Sequence, residues 1–193
     1  MSALPVAACP TEAELEFDRQ IDALVTVGLP EALDLATECF RAAVEPLRDL
    51  LPDAGPDART IPFVVVVPHL PVVEVLESVH TVGGPGFTTM DDDDLARFQP
   101  LPELDVPAGP YLLVDVDPGA DTLNVPPAQV LPRLEAAGRS PLTIAEGLAV
   151  LASDPGVLRG LDCGAVDEAE VQAAGGPERV VLDRLAGRRP GGS

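Results

Sequence analysis

Lysine is absent from this sequence: all twelve basic residues are arginines. That absence excludes Schiff-base chemistry on lysine, a Walker-type phosphate lysine and a lysine general base. Tryptophan is absent too, Tyr111 is the only tyrosine, and aromatics make up 3% of the chain, so there is little material for stacking nucleic-acid bases. The three cysteines, Cys9, Cys39 and Cys163, are too few and too scattered for a disulfide framework, and none has a second Cys or His at metal-ligand spacing. Reduced thiols in a cytoplasm fit this usage best. Positive charge is scarce: 32 acidic residues against 12 basic ones give a formal net charge of −20. Such a field repels phosphate backbones and anionic membrane surfaces, which argues against nucleic-acid and membrane partners. No apolar run approaches the ~18 residues that a membrane-spanning helix needs. Val6-Ala7-Ala8-Cys9 resembles a lipoprotein processing box but lacks the basic region and long apolar run that would precede it.

What is present is aliphatic. The hydrophobic fraction is 46%, and Val, Leu and Ala carry it, so the core is expected to be built from aliphatic side chains. A length of 193 residues suits one domain, or a domain with a helical appendage. Arg, Ala, Gly and Pro in place of Lys read as a high-GC bacterial coding sequence.

Thr11 to Glu14 reads as a capping box, opening a helix whose apolar face is predicted at Leu15, Ile21, Leu24 and Val25 and which Gly28 ends. A second helix is expected from Pro30 to about Leu51, with Leu33, Leu35, Phe40, Val44, Leu47 and Leu51 buried and a kink at Pro46. Residues 52–57 are a breaker cluster and mark a boundary. Ile61 to Val67 is a continuous β-branched run, as in a strand covered on both faces. A helix follows from Pro71, with Val72, Val75, Leu76 and Val79 on one side, and Gly83 to Gly86 ends it. Phe87 to Met90 is read as a second strand, which makes a βαβ unit with parallel strands. Tyr111 to Val116 is a third buried strand, closed by the turn Asp117-Pro118-Gly119. A helix from Pro126 or Pro127 to Gly138 contains Pro132, and Thr143 to Glu146 is a second capping box. A short helix is expected from Pro177 to Leu185. The fold class is therefore α/β, a small mixed or parallel sheet flanked by helices, with an N-terminal helical hairpin. The segments are 1–57 (tail and hairpin), 58–160 (α/β core) and 161–193 (divergent tail).

The stretch YLLVDVDPGADTLNVPPAQVLP, the following GRSPLTIAEGLAVL and, more loosely, EFDRQIDALVTVGLPEAL resemble an actinobacterial protein family classed as a domain of unknown function. The resemblance covers roughly residues 15–160. It implies a shared fold and a bacterial cytoplasmic setting, and it implies no activity. Family members continue past the position of Leu158 into a segment rich in Trp, Cys, Gly and Arg. Here residues 161–193 contain no aromatic residue, which reads as a shortened branch or a change of reading frame near Gly160.

If the strands are parallel, the residues beyond their C-terminal ends gather on one rim, where open α/β sheets place ligands. The candidates are His69, Asp91, Asp92, Asp115 and Asp117. Carboxylates there suit a divalent cation such as Mg²⁺ or Ca²⁺, or an acid and base pair. The simpler reading is that Asp is abundant, favours turns and is solvated. His69 reads as a loop histidine and His80 as a helix-terminal one. Ser140 and Ser153 read as helix caps, Cys39 as a mid-helix residue among apolar neighbours, and Gly83 to Gly86 as a turn, not a phosphate loop. No nucleophile has a base beside it in sequence, and no cofactor motif is present. The expectation is a non-catalytic cytoplasmic domain that binds a protein partner, a second copy of itself or a small ligand. The alternative is a metal-dependent hydrolase or transferase using the acidic rim.

Overall fold

The computed structural model describes residues 9–52, 60–68, 70–81, 84–90, 92–95, 97, 99–100, 104–122, 125–159 and 178–180. Helix α1 (Glu12–Thr26) starts where the capping box places it: Glu14 N–H donates to the Thr11 hydroxyl, and Thr11 N–H donates to the Glu14 carboxylate. Its buried stripe is Phe17, Gln20, Ile21 and Leu24. Phe17, Ile21 and Leu24 follow the i, i+4, i+7 spacing of one helix face. Leu15, two residues before Phe17, lies on the opposite side and is exposed, contrary to expectation.

The expected second helix is broken into pieces. Gly28, at φ 80, turns the chain out of α1, and α2 (Leu29–Ala32) stops at Asp34, which takes a left-handed φ of 55. Helix α3 (Thr37–Val44) follows and runs into a 3₁₀ turn, Glu45–Leu50, with Pro46 in its first turn. A short polar side chain tolerates the left-handed conformation at Asp34, and Pro46 fits where its missing N–H is not needed. Phe40, Val44 and Leu47 are buried as expected, whereas Leu35 is exposed.

Strand β1 (Ile61–Val66) and helix α4 (Val72–Ser78) come next, then a two-residue ladder of β2 (His80–Thr81) and β3 (Gly84–Pro85), and a single turn, α5 (Asp92–Leu95). Strand β4 (Tyr111–Val116) is where the sequence places it, followed by α6 (Pro127–Ala136), α7 (Ile144–Ser153) and β5 (Glu178–Val180). Helices α6 and α7, each of 10 residues, are joined by residues 137–143, and Gly138, at φ 68, turns the chain just past the end of α6. Pro132 lies inside α6 without ending it.

The architecture is α/β. One sheet has the order β1-β4-β5 and is antiparallel throughout. This corrects the parallel βαβ reading. Phe87 to Met90 is not a strand, and Val66 pairs with Tyr111, so residues 67–110 leave and re-enter the same end of the sheet. Burial of a strand on both faces reports that helices cover both faces, and it does not report strand direction. Residues 178–180, expected as part of a helix, form the third strand.

Side chains alternate across the sheet as the pleat requires. Phe63, Val65 and Leu112 face a cluster that contains Phe17, Ile21, Leu24, Phe40, Val44, Leu47, Val75 and Val79. Val64, Val66, Tyr111 and Leu113 face the other side, with Leu142, Ala149 and Val150. Helix α7 contributes to both clusters through Ala152 on one side and Ala149 and Val150 on the other. It is buried nearly all round, as suits a central helix.

The outer edge of β1 is closed by a side chain. The Gln20 amide donates to Phe63 O at 2.8 Å and accepts from Val65 N–H at 2.9 Å, and it also donates to Glu16 at 2.9 Å. One amide thus takes the place of one peptide group of a neighbouring strand. Gln20→Ala leaves a buried carbonyl and a buried N–H without partners. Each such orphan costs ~1–3 kcal/mol, so urea unfolding is expected to show roughly 2–4 kcal/mol lost. A loss below about 0.5 kcal/mol would mean that water replaces the amide at no cost.

Candidate functional site

The expected acidic rim loses its geometric basis in the antiparallel sheet. Ile61 pairs with Val116 and Val66 with Tyr111, so β1 and β4 end at opposite edges of the ladder, about 17 Å apart at ~3.3 Å per residue. His69 and Asp91 lie outside the described residues. Asp92 begins α5. Asp115 and Asp117 lie at the far end of β4, and both serve the local backbone. Asp115 has φ 58 inside the strand, at the position opposite Pro62, where the ladder lacks a donor. Arg139 holds it there, with Nη1 donating to Asp115 O at 3.0 Å and Nη2 to its carboxylate at 2.5 Å. Asp117 accepts from Gly119 N–H at 2.8 Å and closes the turn. Among the described residues no group of three or more His, Cys, Asp or Glu side chains converges as a metal site would require. His80 follows α4, with Nδ1 2.9 Å from Ser78 O. Cys9 and Cys39 are both exposed and free, which corrects the reading of Cys39 as packed among apolar neighbours.

Glu146, buried, is the polar residue in the core that the sequence hid inside a capping box. Its Oε2 accepts from Thr143 N–H at 2.6 Å, completing the box, and its Oε1 accepts from the Tyr111 hydroxyl at 2.7 Å. One carboxylate therefore caps α7 and ties it to the first residue of β4. An apolar groove of about 440 Å³ lies nearby, bordered by Val130, Leu134, Leu142 and Leu104 as well as Tyr111 and Thr143.

A larger cleft, about 1030 Å³, opens between the first turns of α1, the start of β1 and the end of α7. Its walls come from four separate stretches: Thr11 to Gln20, Arg48 to Pro52, Thr60 to Val64, and Val150 to Asp154. Three polar arrangements organise it. Arg19 forms a two-point ion pair with Glu16, Nε to Oε2 at 2.7 Å and Nη2 to Oε1 at 2.6 Å, and its Nη1 donates to Ser153 O at 2.7 Å. A cation at the last carbonyls of α7 complements the helix dipole. Arg48 pairs with Asp18 and Glu45 and lies 4.9 Å from the centre of the Phe17 ring, a cation–π distance. Ser153 itself is buried, and its Oγ is the buried side-chain polar atom that has no hydrogen-bond partner among the described residues. The sequence suggested a cap for Ser153. The structure puts it at the last position of α7, on the cleft wall.

Two carboxylates on this wall are held below the usual range. Glu14 is lowered by the backbone and side-chain hydrogen bonds from Thr11, and Glu16 chiefly by its hydrogen bond from Arg19. Arg19 is correspondingly raised, chiefly by the Glu16 hydrogen bond.

Fold and cleft together define an α/β domain with a closed strand edge and a mixed polar and apolar cleft beside it. The chain belongs to a family of unknown function, DUF5701, whose model matches residues 23–180. The match runs through Gly160 to the end of β5. Neither the curated proteins nor the solved structures contain a match to the chain.

Two outcomes test the polar groups. A carboxyl whose folded pKa is depressed contributes stability above its unfolded value, near ~4.3, and loses it as pH falls through the folded value. Glu16→Gln is therefore expected to lower the urea midpoint at pH 7 and to differ less from the parent at pH 3. An unchanged difference at both values would remove the ion pair from the stability balance. Ser153→Ala deletes an unsatisfied buried hydroxyl and is expected to be neutral or up to ~1 kcal/mol more stable in urea. A clear destabilisation would mean that the hydroxyl has a partner within the folded chain.

Proposed function

We propose that this domain is a non-catalytic cytoplasmic binding module that takes a partner or ligand into the cleft between α1, β1 and α7. The observation that carries this reading is the cleft itself, about 1030 Å³ and walled by four stretches of the chain, one of them ending in the buried Ser153, whose hydroxyl has no hydrogen-bond partner among the described residues. Buried polar groups in native proteins are nearly always satisfied, and the exceptions call for an explanation. The cleft also has the character of a binding site, with apolar surface from Leu15, Leu51 and Ile61 beside a few placed polar groups.

The other titratable groups support binding over chemistry, because their hydrogen bonds go to the scaffold. Glu146 is spent on a helix cap and a tyrosine, Asp115 on Arg139, and Asp117 on a turn. The free thiols of Cys9 and Cys39 fit a reducing compartment. Among the described residues no helix is long and apolar enough to cross a membrane.

Amide chemical shifts of the isotope-labelled chain, recorded against a library of small fragments, test the location. Perturbed amides are expected to cluster at Glu12 to Gln20, Thr60 to Val64 and Val150 to Asp154. Perturbations that scatter, or that centre on Leu104, Val130 and Leu142 around the smaller groove, overturn the assignment of the cleft.

A further inference from the structure

Independently of the cleft, we infer that the smaller groove, about 440 Å³, is a second binding site, one that takes an uncharged and mainly aliphatic small molecule. Its place in the fold is the first argument. The groove is the seam at which three apolar clusters approach without closing. Leu70 borders it from the cluster around Phe17, Tyr111 and Leu142 from the cluster on the other face of the sheet, and Val130 and Leu134 from a third. Val130 and Leu134 are the buried residues of α6, and they pack with Val125 apart from both cores. Leu70, Val72, Leu104, Val106, Leu131 and Ile144 meet at the groove from four separate stretches, and each is only half-buried. An aliphatic ligand seated there removes their remaining surface from water, the main favourable term in most association.

Charge selects the ligand. Among the described residues no side chain that borders the groove is charged, in a chain of net charge −20 whose larger cleft carries Glu12, Arg19 and Asp154. An ionised ligand entering the groove gives up its hydration and meets no opposite charge, so the site disfavours carboxylates and ammonium groups alike. The Tyr111 hydroxyl is engaged by Glu146 within the fold, which leaves apolar contact as the main attraction. Size excludes a larger occupant. A two-turn helix, about 10–12 Å across and ~11 Å long, fills roughly 850 Å³ or more, whereas pockets for small molecules begin near ~300 Å³. Pro68, Pro100, Pro127 and Pro141 border the groove from four segments, and their fixed φ reduces the freedom that binding has to remove.

The test titrates the isotope-labelled full chain with 1-nonanol and follows amide chemical shifts, with nonanoate and nonylammonium as charged ligands of the same chain length. Saturable perturbations are expected at Leu70 and Val72, at Leu104 to Val106, at Val130, Leu131 and Leu134, and at Leu142 to Ala145. Both charged ligands are expected to bind at least about tenfold more weakly. Nonanol at about ten times its Kd is expected to slow hydrogen exchange of the α6 amides by up to about tenfold, because α6 then packs on the ligand. Ala145→Phe fills the groove and Leu131→Asn makes it polar but leaves it open; each is expected to weaken nonanol by about fivefold or more, with folding checked by urea unfolding. Either variant serves if the other fails to fold, and the comparison of the three ligands needs neither. A charged ligand that binds as tightly as nonanol overturns the inference, since an uncharged site would not accept it. Perturbations centred on the larger cleft, or none at all from 1-hexanol to 1-nonanol, also overturn it. Groove shifts that grow with protein concentration alone, together with a doubled mass in sedimentation, assign the groove to a second copy of the chain and overturn it as well. The reading of the cleft stands or falls separately, on fragments at Glu12 to Gln20 that nonanol does not displace.

Discussion

The Gln20 amide is the constraint on which the rest depends, because it fixes where α1 lies along β1. A strand edge normally presents unpaired N–H and C=O groups that must be covered or repelled from other chains. Here one buried side chain satisfies Phe63 O and Val65 N–H together, so α1 cannot slide along the strand without orphaning both. Arg19, the preceding residue, points about 100° away around the helix and reaches the last carbonyl of α7. Two adjacent side chains thus tie one helix to a strand and to a second helix. The cleft is the space left between those three elements once both ties are made.

The sequence revealed elements whose signals are local. Both capping boxes, β1, β4 and the Asp117 turn lie where residue chemistry puts them, because each is decided by contacts within a few residues. It misled wherever a longer comparison was needed. Leu15 and Phe17 are both apolar, and only their angular offset around α1 tells which one faces the core. The run from Pro30 to Leu51 has helical spacing throughout, yet the chain breaks it at Asp34 and tightens it at Glu45 so that Phe40, Val44 and Leu47 reach the same cluster as Phe17. Strand direction was illegible for a physical reason: two-sided burial produces the same Val-rich run in either orientation.

The candidate site was less legible than the fold. The acidic turn after β4 drew attention because carboxylates cluster there in sequence, but Pro62 explains it. A proline opposite Asp115 cannot donate to the ladder, and a residue tolerant of the left-handed conformation occupies the gap, clamped by Arg139. The cleft, by contrast, is assembled from four stretches far apart along the chain and has no signature within any one of them. Ser153 illustrates the difficulty. A serine before Asp154-Pro155-Gly156 is a reasonable cap on local grounds, and only tertiary packing shows it buried at the end of α7.

Charge links the cleft to the stability of the molecule. Of the carboxylates that line it, Glu16 is held ionised by Arg19 and Glu14 by the hydrogen bonds from Thr11, so both add stability while they carry charge and lose it as they are protonated. The elements around the cleft are held from the other side, by Phe17, Phe63 and Val65 in one core and by the Tyr111–Glu146 tie in the other. The cleft therefore lies between elements whose positions are set by packing on both faces of the sheet, and its polar wall is tied to that packing through Gln20 and Arg19.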